Sequence, residues 1–175
     1  MTPVPAHPFA IRPAVADDCD LIADLIRELA VYERLEGQAK ATPADLRRHL
    51  FGPRPFAEVL IAEVDGRPVG FALYFPTFST FRGSPGLYLE DLFVRLAYRG
   101  RGIGKGLFAR LAATVRERGF GRLEWAVLNW NEPSIGFYRS LGAVPMDDWT
   151  VYRLADEPLV ALAEKATGPG TEAER

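Results

Sequence analysis

The sequence predicts an α/β (α+β) fold, a mixed sheet with helices on both faces. Three observations carry that prediction. Strand-like and helical segments follow one another in the order β-α-α-β-β-β-α-β-α-β. Two of the helical segments each show one apolar stripe, which has to be buried against another layer. Asp65-Gly66, a strong hairpin signal, sets an antiparallel pair in the middle of the chain. The 175 residues, 48% of them apolar, suffice for one core, assigned to residues 9–162.

Residues 1–8 hold three prolines and read as a disordered leader. Phe9–Arg12 is a short strand. Asp17 or Asp18 caps a helix that runs to Glu33, with Leu21, Ile22, Leu25, Ile26 and Leu29 on one face. Cys19 lies beside that stripe and reads as a small buried side chain rather than a nucleophile. After a break at 37–41, Thr42-Pro43-Ala44-Asp45 opens a second helix, with Thr as cap, Pro in the first turn and Asp on the dipole. Glu58–Val64 and Pro68–Phe75 are the hairpin strands, and residues 76–86 a loop rich in aromatics, Ser and Gly. Leu87–Val94 is a strand with Glu90-Asp91 in its middle. A helix over Ile103–Arg118 buries Leu107, Phe108, Leu111, Ala112 and Val115 and stops at Gly119 and Gly121. Leu123–Leu128 is a strand, Asn131–Leu141 a short helix, and Val151–Leu154 a last strand partnered near Val144. Residues 163–175 are expected to fray.

Composition removes several classes of function. Basic side chains (21) nearly balance acidic ones (23), so nothing points to a nucleic-acid partner. One cysteine and two histidines leave neither a disulfide framework nor a metal site. There is no signal peptide and no apolar run long enough to span a bilayer, so a cytoplasmic protein is expected.

The most informative segment is Arg99-Gly100-Arg101-Gly102-Ile103-Gly104-Lys105. It follows a strand and opens a helix. Alternate glycines let the backbone approach a ligand, and the helix start adds free N–H groups and the positive end of the dipole. That combination is a diphosphate cradle, with Arg95, Arg99, Arg101 and Lys105 as surrounding cations. Gly106 stands where a P-loop carries Ser or Thr, and neither Gly100 nor Gly102 starts a G-x-G-x-x-G spacing. Coenzyme A fits better than a nucleoside triphosphate or a dinucleotide.

Arg99-Gly100-Arg101-Gly102-Ile103-Gly104 resembles the R/Q-x-x-G-x-G/A signature of the GNAT N-acetyltransferases. Ile11-Arg12-Pro13-Ala14, Tyr32-Glu33, Tyr88-Leu89-Glu90-Asp91 and the run Trp130–Tyr138 are similar to the spermidine/spermine and thialysine acetyltransferases of that superfamily. The likeness extends over Phe9–Leu162. It implies a mostly antiparallel sheet splayed between the Leu87–Val94 and Leu123–Leu128 strands, with acetyl-CoA in the notch. Leu92, Phe93 and Val94 would meet the acetyl and pantetheine end through main chain. Arg99, Gly100, Arg101, Gly102, Ile103, Gly104 and Lys105 would hold the diphosphate, and Asn131 would touch the cofactor. The resemblance also implies a small-molecule amine substrate and a homodimer.

An amine that attacks a thioester must first lose a proton, since at a pKa of about 10.4 only on the order of one in a thousand is neutral at pH 7. Glu90 is the expected base, through water, and Tyr138 matches the family's general acid for the leaving thiolate. Tyr32 and Glu33 end the first helix, where a negative charge opposes the dipole, which hints at a grip on an ammonium group. Asp91, Asp148 and Trp149 complete the expected amine contacts. The family's acidic-Gly-Trp element lacks its glycine here, and Gly37 stands where relatives often carry Glu, which points to an amine shorter or less charged than spermine. The alternatives are a non-catalytic acyl-CoA-binding module on the same fold, or an acetyltransferase for an amino acid, peptide or drug-like amine.

Overall fold

The computed structural model describes residues 8–167. Most of the predicted leader, and the tail beyond residue 167, lie outside the described residues. The chain divides into two compact units, Met1–Trp130 and Asn131–Arg175.

The first unit holds β1 (Phe9–Pro13), α1 (Cys19–Glu33), α2 (Pro43–Phe51), β2 (Glu58–Val64), β3 (Arg67–Ser79), β4 (Ser84–Val94), α3 (Ile103–Glu117) and β5 (Leu123–Trp125). The strands lie in the order β1-β2-β3-β4-β5. The first three pairings are antiparallel and the last is parallel. The β2–β3 turn is the one read from Asp65-Gly66, both residues at positive φ (51° and 72°).

Successive side chains of a strand alternate between faces, and the helices divide accordingly. Val59, Ile61, Phe71 and Phe93 pack with Ile22, Ala23, Leu25 and Leu29 of α1 and Leu46 and Leu50 of α2. Phe9 and Ile11 face the opposite layer, where a Cβ on Gly106 of α3 would come within 2.5 Å of the Phe9 ring. Only glycine lets α3 sit that close to β1. Truncating a side chain as fully enclosed as Leu25 would cost about 2–5 kcal/mol. Within α3, Leu107, Phe108 and Leu111 are buried as the periodicity predicts. Ala112 is instead exposed, and Thr114 is buried, its hydroxyl donating to the Arg110 carbonyl at 3.0 Å.

Helix starts are fixed by side chains. The Thr42 hydroxyl accepts from the Asp45 N–H, and the Asp45 carboxylate accepts from the Thr42 N–H, both at 3.2 Å, a reciprocal cap worth about 1 kcal/mol. Asp18 precedes α1 but caps no helical amide. Its carboxylate accepts from Val15 N–H and from the Arg12 guanidinium, which also donates to Glu63. The guanidinium holds the Asp18 carboxyl below the usual carboxylate range.

Three sequence expectations change. Residues 76–86 are not a loop: β3 and β4 continue their ladder through Thr77↔Gly86 to Ser79↔Ser84 and turn over residues 80–83. β5 is three residues long rather than six, for a reason that lies in β4 and is given below. In the second unit, α4 (Glu132–Ser140) forms as predicted, but the strand over Val151–Leu154 does not. A strand needs a partner's backbone, and the stretch around Val144 is not one either. A helix the sequence reading did not place, α5 (Asp156–Glu164), follows, with Asp156 and Glu157 on its positive end and a 3-10 turn over Lys165–Thr167.

Candidate active site

β4 is interrupted where the acids sit. Asp91 pairs with Leu73 and Leu89 with Tyr74, so Glu90 is an extra residue with no opposite number on β3. Such a bulge bends the strand. On the other edge, β5 pairs only with Leu87, Tyr88 and Leu89. The parallel ladder ends where the bulge begins, which is why β5 is short. From Glu90 to Val94, β4 has no neighbouring strand on that side among the described residues. Leu92, Phe93 and Val94 therefore lie on an open stretch of backbone.

β4 leads into the glycine segment. A 3-10 turn over Leu96–Tyr98 is followed by Gly100 and Gly102, both left-handed (φ 75° and 82°). Gly102 is the N-cap of α3 and brings no side chain to bond its first amides. Ile103 is buried, anchoring the helix start, and Lys105 is exposed. The first amides of α3 thus have no side-chain cap, the kind of helix start that suits an anion. The loop's cations are not all turned to it. Arg95 is bound to Glu28 at 2.7 Å and to the Pro68 carbonyl at 2.8 Å. The Arg101 guanidinium donates to the Ala97 carbonyl and lies 5.2 Å from the Tyr98 ring centre. Arg99 donates from Nε to the Val94 carbonyl at 2.9 Å and lies over the Tyr32 ring.

The acids predicted to meet an amine come from two elements. Glu33 is half-buried at the C-terminal end of α1, and its carboxyl is raised by that burial. Asp91 is pushed up to about 6 by burial and then by repulsion from Glu90 and Glu33. Asp91, from β4, is therefore near enough to Glu90 and to Glu33 of α1 to feel the charge of each, and both Asp91 and Glu33 are partly withdrawn from water. A cation placed among them would relieve both penalties. Strand alternation, which assigns Glu90 and Asp91 to opposite faces, does not apply across a bulge. Asp91 is the enclosed acid and Glu90 the exposed one. Cys19, buried, has its thiol raised by desolvation and is inert.

The remaining predicted residues belong to the second unit. Asn131 caps α4, its Oδ1 accepting from the Ser134 N–H at 3.4 Å. Tyr138 lies on α4 beside Phe137, ring centres 5.6 Å apart. Asp148 and Trp149 follow in a turn where the Trp149 N–H donates to the Met146 carbonyl at 3.1 Å, and Trp149 is exposed. Sequence reasoning assigned no separate role to Trp130, whose ring centre is 6.1 Å from that of Tyr32.

Comparison with known proteins gives one family. The Acetyltransferase (GNAT) family profile matches residues 22–143. Thialysine N-epsilon-acetyltransferase of Bos taurus is 38% identical over 166 residues, spanning 89% of this chain and 97% of that one. Spermidine/spermine N(1)-acetyltransferase-like protein 1 of Homo sapiens is 38% identical over 165 residues, 89% of this chain and 24% of that one. Among solved structures, an integron cassette protein from the mobile metagenome of V. cholerae superposes with a TM-score of 0.76 at 28% identity, covering 89% of this chain and 98% of that one.

Proposed function

This chain belongs to the Acetyltransferase (GNAT) family and is an amine N-acetyltransferase, and from that premise we propose that it uses acetyl-CoA to acetylate a terminal primary amine of a small cationic substrate, a diamine or a thialysine-like amino acid. The observation that carries this reading is the meeting of Glu33, Glu90 and Asp91 beside the open stretch of β4. A neutral or anionic acceptor would gain nothing from a half-buried Asp91 that already feels the charges of Glu90 and Glu33. The relatives named for thialysine and for spermidine/spermine support an amine of this kind.

Acetyl-CoA supplies an activated acyl group on a good leaving thiol. The backbone of Gly100–Gly104 and the first turn of α3 fit its diphosphate, because no side chain caps those amides. Main-chain groups of Leu92, Phe93 and Val94 align the pantetheine arm and offer N–H donors to charge developing on the carbonyl oxygen. Glu33 and Asp91 bind the substrate's charged end. Glu90, exposed, takes the proton from the attacking nitrogen through water. As the nitrogen–carbon bond forms and the carbon–sulfur bond breaks, the Tyr138 hydroxyl gives its proton to the sulfur. Asn131 holds the start of the helix that carries Tyr138, and Asp148 and Trp149 border the amine.

A cytoplasmic homodimer belongs to the same reading. No helix among the described residues is long and apolar enough to cross a membrane. Trp149, Val151 and Tyr152 are 68%, 86% and 92% exposed, apolar surface that a second copy would cover. Sedimentation of the purified protein tests that assembly.

The test of the reaction is thiol release from acetyl-CoA with putrescine, spermidine, spermine, lysine, thialysine and a peptide amine. Turnover is expected to be best with the short diamines or thialysine, and absence of turnover with every amine would overturn the reading. Tyr138→Phe is expected to lower kcat by about 100-fold or more while leaving acetyl-CoA affinity in place, because the phenol acts at sulfur and not at the phosphates.

A further inference from the structure

We propose that Arg99 is a positioning residue that locks the end of α1 to the diphosphate loop, so that an occupied loop sets Glu33 for the amine. The inference rests on the acetyl-transfer reading above and adds to it a coupling between the two halves of the site.

The motif leads one to expect Arg99 among the phosphate contacts, yet its guanidinium also bonds β4 and lies over a ring of α1. Nε donates to the Val94 carbonyl at 2.9 Å. The guanidinium carbon lies 4.2 Å from the Tyr32 ring centre and 5.6 Å from that of Phe93. Both distances fall within the range of cation–π attraction. One side chain of the loop thus grips β4 through a carbonyl and α1 through an aromatic face. The stack continues: the Tyr32 ring is tilted at 52° against Trp130, and the Arg34 guanidinium lies 5.2 Å from the Trp130 ring centre. Arg99 and Arg34 thus close the two ends of a Tyr32–Trp130 ring pair at the helix end that carries Glu33.

That helix end needs holding. α1 stops with Arg34 in the left-handed region (φ 60°), a conformation unfavourable for a side-chain-bearing residue. Its last helical residue, Glu33, puts a half-buried negative charge on the negative end of the dipole. Both features cost stability, and the stack offsets them. Because Arg99 is covalently part of the loop, an anion that orders the loop backbone also fixes the guanidinium, then Tyr32, then Glu33. Acetyl-CoA bound first then raises affinity for the amine, and by linkage the amine raises affinity for acetyl-CoA by the same factor.

The test compares Arg99→Lys, Arg99→Gln, Tyr32→Leu and Arg99→Lys/Tyr32→Leu. Acetyl-CoA affinity is read by calorimetry, and amine KM and kcat at saturating acetyl-CoA. Arg99→Lys keeps the charge but loses the flat face and the Nε donor. It and Tyr32→Leu are each expected to raise amine KM roughly three- to tenfold. The double variant should go no further, and acetyl-CoA affinity in Arg99→Lys should change less than threefold. If Arg99→Gln weakens acetyl-CoA tenfold or more, Arg99→Lys restores it and amine KM stays put, Arg99 is a diphosphate ligand and the proposal falls. The same double-mutant cycle on thermal unfolding stands apart from any reaction. Non-additive losses support the clamp, and additive ones overturn it even if no amine is turned over. Turnover by the unsubstituted protein in the same assay decides the acetyl-transfer reading separately.

Discussion

The backbone of residues 100–104 takes its shape from neighbours within about a helical turn, whereas Glu33 and Asp91 stand more than fifty residues apart and meet only because α1 lies on the face of the sheet that β4 shares. The loop needs two left-handed glycines and a helix start. The acidic site needs a helix end, a strand bulge and burial that raises two carboxyls against their own charge. One half is built of backbone and bears little strain. The other is built of side chains held at a cost. Substitutions should therefore act on the halves differently: in the loop they remove binding, and among the acids they exchange binding for stability.

The largest effect is expected at Gly102. Valine there must adopt φ near 82° and sets a branched side chain on the ligand face. Acetyl-CoA affinity should fall roughly 50- to 100-fold, and stability by about 1–2 kcal/mol from backbone strain alone. Packing is not the cause, since a Cβ at Gly102 meets only the Phe9 ring, at 4.0 Å. Gly106→Ala gives the contrast, because its Cβ overlaps Phe9 and the loss should appear in the melting curve before it appears in calorimetry. If the two variants behave alike, the loop is not a backbone site.

Glu33→Gln comes next. It removes one charge from the amine site and leaves the shape. Amine KM should rise at least about tenfold, the scale of one hydrogen bond to a charged group, with acetyl-CoA affinity within twofold. Unchanged KM for every amine on the panel would remove Glu33 from the site.

Asp91 separates binding from stability. Its carboxyl rises from 3.8 to about 6 on folding. A group held above its unfolded value binds its proton more tightly in the folded state. The protein therefore gains stability from Asp91 as pH falls from about 6 toward 4, and loses it again as pH rises through about 6. Asp91→Asn should then stabilise the protein at neutral pH, by on the order of 1–2 kcal/mol, and have little effect near pH 4. Amine KM should rise in the same variant. In the unsubstituted protein, amine KM should fall as pH rises through about 6, where Asp91 gains its charge. A melting temperature that drops at neutral pH would mean the carboxylate is satisfied by a partner instead.

The same division decides what was legible in the sequence. Thr42-Pro43, Asp65-Gly66 and Gly100-x-Gly102 act through adjacent residues, and each forms as read. The apolar stripes of α1 and α3 place both helices, because burying one face leaves little choice of orientation. The bulge at Glu90 was not legible, since no residue type announces which strand of a pair carries an extra residue. The short β5 was missed with it, and which of Glu90 and Asp91 is the more enclosed could not be read either. Val151–Leu154 reads as a strand by composition, yet finds no partner among the described residues. Pairing is a property of two segments, and one segment's pattern does not supply it.

Arg95 gives the smallest effect and the finest test of the comparison. Composition alone groups it with the cations around the glycine loop. Its guanidinium is instead held by Glu28 through Nε and Nη2 and by the Pro68 carbonyl through Nη1. Arg95→Gln should leave acetyl-CoA affinity within twofold and cost about 1 kcal/mol or less of stability, the usual scale for a half-exposed ion pair. The loss should shrink further at high salt. A tenfold loss of affinity would mean that Arg95 leaves Glu28 when a diphosphate arrives. The loop would then recruit distant side chains as the acidic site does, and the contrast between a backbone half and a side-chain half would not hold.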